Sequence, residues 1–461
     1  MLLAALAVGC VRPTPPEVAP HVPRPELWVD AFSPAGGDGT AARPLRTLPQ
    51  ELPKGTTVHV RSGVYPGPFR CDGATVIGHG EVVLTGDTSE TTVVARGCGL
   101  EALSVQGGQR GVLAEAGTSL TRVRFSGQRR LAAELVGPAT LADVTLVASV
   151  EGIDGLLVRG RGLAAAGLTF EGGFRRALAL QQAEGVVRRV RAEGARTAVH
   201  ALDSTLELEG VTASAGSGPA LFFAGGKTTL RDVAVQGHEY GLQVGRAAEL
   251  HARGVRVRGT AQACVSAVQA TVTLEALDLA RCGLGAGLEL LDSRTTLDGL
   301  ELDGTPDLGV LVREGAATIR HAHIAHVSRS GEALGDAIHV RSCVARIDDA
   351  RVTDVAGSAL FASAGAEVSV GGLEVERAGD VSLFVERAST VKLERVLVRG
   401  GGGPALLVPD RARVELGALS VAGGNEAPIY AECAQGAVVL VGRLESTIPQ
   451  VTSRCVLPLP K

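Results

Sequence analysis

Apolar and polar positions alternate in short runs along most of this chain, and the runs return about every two dozen residues. Residues 359–380 show one unit. Leu360–Ala362, Val368–Val370 and Leu373–Val375 are apolar runs separated by Gly and small residues. Val370, then Gly371-Gly372, then Leu373 and Val375 read as strand, two-residue bend, strand. The same signature returns as Leu208/Val211/Ala213, Leu274/Leu277/Leu279, Ile347/Ala350/Val352 and Leu416/Leu419/Val421. Units starting at Leu131, Ile153, Ala177, Val199 and so on to Ile429 are 21–27 residues apart. Leucine-rich repeats and β-solenoids share such a period. A leucine-rich repeat needs a regularly placed Asn and a helical half, yet the chain offers only Asn425 and no uninterrupted helical pattern. The pattern therefore predicts an all-β, single-stranded, right-handed parallel β-helix of about 17 coils with three strands each. At ~4.8 Å per coil the rod would be roughly 80 Å long. Each coil would bury its inward side chains only against the coils above and below, so the body grows by adding coils rather than further domains.

Composition agrees with that reading. The 45% hydrophobic content is mostly Ala, Val and Leu with 3% aromatic residues, which suits a narrow interior, and 61 Gly serve the bends. Net charge is −4 with Arg and Glu spread through every coil; no basic stripe points to nucleic acid, so no nucleic-acid partner is expected.

The first ten residues, MLLAALAVGC, form a short apolar run ending Ala-Val-Gly-Cys. This resembles a bacterial lipobox, which implies a signal peptide over 1–10 with Cys10 as the lipidated residue. The run is too short to span a bilayer. No Lys or Arg precedes it, and Ala7 stands where the lipobox usually has Leu. In such lipoproteins, Val11 after the Cys implies outer-membrane sorting. Residues 11–25 carry six Pro and read as an extended tether.

Residues 26–70 resemble the opening of pectin-lyase-like right-handed parallel β-helix proteins. The matching stretches are Trp28–Asp30, Gly37–Thr40, Pro44–Thr47, a short helix at Leu48–Leu52, Val58–Val60 and Gly63–Tyr65. The resemblance implies a fold and not a chemistry. It also makes 26–70 an N-terminal cap and entry segment; the repeat marks 71–440 as the β-helix, and the less regular 441–461 reads as a C-terminal cap.

Among eight Cys, Cys71 and Cys98, Cys264 and Cys282, and Cys433 and Cys455 are 27, 18 and 22 residues apart. One coil of separation brings residues to about 4.8 Å, within disulfide reach, and an exported protein keeps such bonds. The alternative is buried thiols acting as small apolar side chains. Cys343 is left over, and no C-x-x-C suggests structural zinc.

The longest unit, Val310 to Asp336, carries His321, His323 and His326, with His339 just beyond. His321-x-His323 could give a metal two imidazoles, with His326 near, but carboxylate support is not evident and a solvated face is the simpler reading. Uronate lyases of this fold neutralise a carboxylate with Arg or Ca²⁺ and abstract a proton with a base. The matching candidates are Arg313, Arg329, Asp336, His339 and Arg341. Gly78-His79-Gly80 and Asp348-Asp349 echo the hydrolase branch but lie many coils apart, and the pectate-lyase Arg-x-Pro-x-x-Arg is absent. Trp28, Tyr65, Tyr240 and Tyr430 are far apart in sequence, which argues against a sugar-stacking groove, and His238-Glu239-Tyr240 reads as a surface turn. The sequence thus favours a non-catalytic, envelope-anchored binding or structural module without a cofactor, held by a lipid anchor and facing a protein or envelope polysaccharide. The alternative is a polysaccharide lyase, hydrolase or epimerase.

Overall fold

The computed structural model describes residues 25–115, 117–331, 334–448 and 454–460. Cys10 and the 1–24 segment lie outside the described residues. The described chain winds into one parallel β-solenoid of about 18 turns, against the 17 or so expected. Three sheets run its length. The first stacks Ile338 on Leu360, Leu383, Leu406 and Ile429. The second stacks Val344, Glu367, Thr390 and Arg413, and the third Val352, Val375, Val398 and Val421. In mid-stack a single strand such as Thr197–Ser214 bends through all three sheets.

Alternation explains the core. Val199 and Ala201 point inward and are buried, while His200 and Leu202 between and after them look outward. Facing large residues, the first sheet opens with a seam of small ones: Gly155, Ala177, Ala198, Ala220, Gly241, Cys264, Gly287, Gly309, Ala337 and Ala359. Gly155 shows why. A Cβ there would sit 2.4 Å from the Ala177 carbonyl oxygen and 3.1 Å from the Phe170 ring. The bend between second and third sheets takes a left-handed residue in each successive coil from Ala102 to Asp349. Arg189 (φ 55°), Gly210 (68°), Asp232 (54°) and Gly254 (68°) fill it in turn.

The three expected disulfides are present as paired, with Cα–Cα distances of 6.1, 5.3 and 5.3 Å. Cys264–Cys282 closes despite its short separation because Cys264 starts one coil's first sheet and Cys282 sits in the turn leading to the next. Cys343 is free and buried, and burial pushes its thiol up to about 11, so it stays protonated and unreactive near neutrality.

The helix expected at Leu48–Leu52 does not form; only Glu51–Leu52 is regular, as strand. Pro49 and Pro53 each push the preceding Leu away from helical angles. Leu48 and Leu52 instead bury themselves in the core. No helix among the described residues is long and apolar enough to cross a membrane.

Candidate binding cleft on the first sheet

The outward column of the first sheet runs His200, Phe222, Gln243, Ser266, Glu289, Leu311, His339, Phe361, Phe384, Leu407 and Tyr430. Residues about 22 apart become neighbours one rung apart. Phe361 and Phe384, one coil apart in sequence, thus lie side by side, whereas of Trp28, Tyr65, Tyr240 and Tyr430 only Tyr430 stands in this column. His200 stacks on Phe222 at 4.9 Å, His339 meets Phe361 edge-on at 4.4 Å, and Phe361 stacks on Phe384 at 4.7 Å. The signal missed in the sequence is the Phe at the second strand position of two successive coils.

Over this column leans the turn of the longest coil. Val327 ends one strand and Ile338 begins the next, and the turn between them walls a cleft of about 400 Å³. Phe361 and Phe384 floor it; Arg329 and Asp380 form an ion pair across its rim; Leu334 and Val381 add apolar wall. Because the two rings cover each other's faces, the cleft sees mostly their edges.

Asp336 anchors the wall. One carboxylate oxygen accepts from the Ser358 amide at 2.8 Å and the other faces His339 Nδ1 at 3.1 Å. The His339 and Asp336 side chains are only 8% and 6% exposed, so this pair sits under the turn and holds it to the sheet. Arg313 and Arg341 occupy adjacent rungs of the next outward column, two residues along from Leu311 and His339. Four of the sequence candidates are thus brought together, with Arg329 on the rim. Two rungs before His339, Glu289 is half-buried, and desolvation raises its carboxyl above the usual range.

His321, His323 and His326 are not brought to one point. Each takes a different carboxylate of the coil before: Asp298 at 2.7 Å, Glu301 at 2.9 Å and Asp303 at 2.6 Å. His323 stacks between Glu301 and Arg351. Among the described residues no group of three His, Cys, Asp or Glu could hold a metal. His238, expected in a surface turn, is buried with Nδ1 3.2 Å from the Gly218 carbonyl oxygen; only its neighbours Glu239 and Tyr240 are part-exposed. Gly78-His79-Gly80 and Asp348-Asp349 lie many coils apart along the stack, as expected.

A larger trough of about 540 Å³ lies at the bend between second and third sheets. Its lining, which includes the Arg395–Asp349 pair at 3.9 Å and the Arg443–Glu445 pair, holds no aromatic side chain, which leaves the first-sheet cleft as the better receptor.

Fold and cleft define a parallel β-helix with a groove along one sheet. No family model matches the sequence and no curated protein matches it. Solved structures that resemble the chain include an alginate lyase from Paenibacillus sp. str. FPU-7, at 11% identity and TM-score 0.34, covering 55% of this chain and 93% of that one. The periplasmic alginate epimerase AlgG, as a mutant, shares 10% identity at TM-score 0.21 over 84% of this chain and 78% of its own. The A-module of Azotobacter vinelandii mannuronan C-5 epimerase AlgE4 shares 11% at TM-score 0.18 over 88% and 91%. At such scores the likeness carries no argument about this chain, whose fold rests on its own strand pairing.

Proposed function

We propose that this protein is a rigid binding module that takes an extended envelope polysaccharide along the first sheet. The observation that carries this reading is the cleft itself: an aromatic floor of Phe361 and Phe384 under a wall pinned by the buried Asp336–His339 pair. The floor continues along the axis through Leu407 and Tyr430, so the groove suits a linear chain better than a compact ligand. The Arg329–Asp380 pair offers donors and acceptors for hydroxyls at the rim. Affinity electrophoresis against a panel of envelope polysaccharides tests it. Retardation by one polymer, weakened at least tenfold in Phe384→Ala, is expected; no retardation by any polymer, or none lost in Phe384→Ala, would overturn it.

A second reading is favoured by the juxtaposition of Asp336, His339, Arg313 and Arg341: proton abstraction from a uronate by His339, as in a lyase or epimerase. Burial of the pair weighs against it, since it keeps His339 out of a polymer's reach. Depolymerisation or epimerisation of a uronate glycan that vanishes in His339→Ala would establish the enzyme.

The same proposal places the module in the cell envelope on a lipid at Cys10. Three disulfides support an oxidising compartment. A Cys10→Ala protein that stayed membrane-bound would count against the anchor.

A further inference from the structure

Toward the N-terminal end of the same sheet lies a patch of positive charge. Glu134, Leu157, Ala179 and His200 follow one another in the first sheet's outward column. Leu157 and Ala179, with Leu131, make a small apolar floor separate from the main core. Two carboxylates are buried beside it, and each is held by two arginines. Glu134 takes Arg110 at 3.0 Å and Arg159 at 2.5 Å. Asp154 takes Arg175 and Arg176 as two-pronged forks at 2.5–3.1 Å. Buried carboxylates need such partners. With two apiece, each cluster keeps one positive charge. Arg159 and Arg175 remain 49% and 55% exposed, so their spare N–H groups reach solvent.

The turns that enter these strands add to the excess. Arg130, Ile153, Arg175 and Arg196 each stand one residue before the register line Leu131, Asp154, Arg176 and Thr197, so three arginines fall on one line along the axis. Arg130 and Arg196, like neighbouring Arg129, are exposed and form no ion pair among the described residues. Within the turns 127–130, 148–153, 172–175 and 194–196, the one acid is Glu151. Glu115, on the coil before, is already met by Arg96 at 2.5 Å. Arg looks evenly spread in the sequence because residues a full coil apart become neighbours only in the stack.

We propose that this stretch is an anion-binding subsite and that the polymer taken along the first sheet is acidic, carrying carboxylate or phosphate groups along its length; this rests on the reading of that sheet as a polysaccharide-binding face. Guanidinium forks match both anions, and arms already fixed by Asp154 and Glu134 lose little freedom on binding. The whole chain carries −4, so the patch and not the general field would draw a polyanion. Ala179 lies eight rungs from Phe361 on the same column, roughly 40 Å at ~4.8 Å per rung, so only an extended polymer touches both patch and cleft. Three disulfides favour an oxidising compartment, which suits a polysaccharide better than nucleic acid.

The test presents purified full chain to immobilised polygalacturonate and immobilised long-chain polyphosphate, one for each anion, with dextran as neutral control and duplex DNA as competitor. Retention by at least one polyanion is expected, falling about tenfold between roughly 50 and 200 mM NaCl. Arg130→Gln with Arg196→Gln, two exposed side chains without ion pairs, should weaken it at least tenfold, while Arg395→Gln in the trough leaves it unchanged. No retention by either polyanion, retention undiminished in the double variant, or easier displacement by DNA than by either polyanion would overturn the subsite. A neutral polymer retained through Phe384, with neither polyanion retained, would strike the subsite and leave the cleft standing, so the two failures are told apart.

Discussion

The turn that walls the cleft depends on one carboxylate, and replacing it is the sharpest test of that reasoning. In Asp336→Ala, the Ser358 amide loses its acceptor at 2.8 Å and His339 Nδ1 loses its partner at 3.1 Å. Both groups are buried, so water does not readily replace what is removed. An orphaned buried polar group costs about 1–3 kcal/mol, and breaking a buried pair about 3–5 kcal/mol, which together suggest about 3 kcal/mol at this spot. Backbone bonds from Gly309 to Asp336 and from Ala337 to Ser358 remain, so the loss should stay local rather than unwind the stack. Hydrogen exchange by mass spectrometry reads it directly: about 3 kcal/mol of local opening is roughly a hundredfold faster exchange. That acceleration is expected in peptides covering 334–340 and 356–361, with distant coils unchanged and polysaccharide affinity reduced. Asp336→Asn, which keeps an acceptor for the Ser358 amide, should fall between wild type and Asp336→Ala. Exchange within threefold of wild type in Asp336→Ala would show that the carboxylate does not hold the wall.

Three other outcomes follow from the fold. Phe223→Ala removes a ring that is 2% exposed in mid-stack and should cost about 3–5 kcal/mol, seen as a lower urea midpoint. Cys71→Ala with Cys98→Ala releases a 27-residue link at the N-terminal coils and should cost about 2–4 kcal/mol, with exchange rising there first. The His321 imidazole hydrogen-bonds Asp298, which raises its pKa above 6.5. Its stabilising contribution is therefore complete below the unfolded value and lost as pH rises through the folded one; an NMR titration should find the raised pKa in wild type and an ordinary one in Asp298→Asn.

Much of the fold is legible in the repeat because each coil obeys the same local physics. The signature at Val370, Leu373 and Val375 specifies which side chains face in, and stacking at one-coil spacing then pairs Cys71 with Cys98. The Leu48–Leu52 segment misleads because a family pattern suggests a helix where Pro49 and Pro53 forbid one. The cleft is less legible for a different reason. Phe361 and Phe384 are 23 residues apart, and their contact exists only once register is known. Asp336 and His339 are close in sequence, but nothing local says that a turn would bury them together.

The seam of small residues from Gly155 to Ala359 also makes length a modular property. Since Thr197 and Pro219 occupy equivalent places, excising residues 197–218 would join Arg196 to Pro219 and let Leu178 meet Leu221 with every inward side chain still inward. Such a chain would be shorter by one step of about 4.8 Å while its cleft stayed whole. Reach and recognition can therefore drift independently in this architecture, the one by gain or loss of whole turns, the other by changes at a single bend.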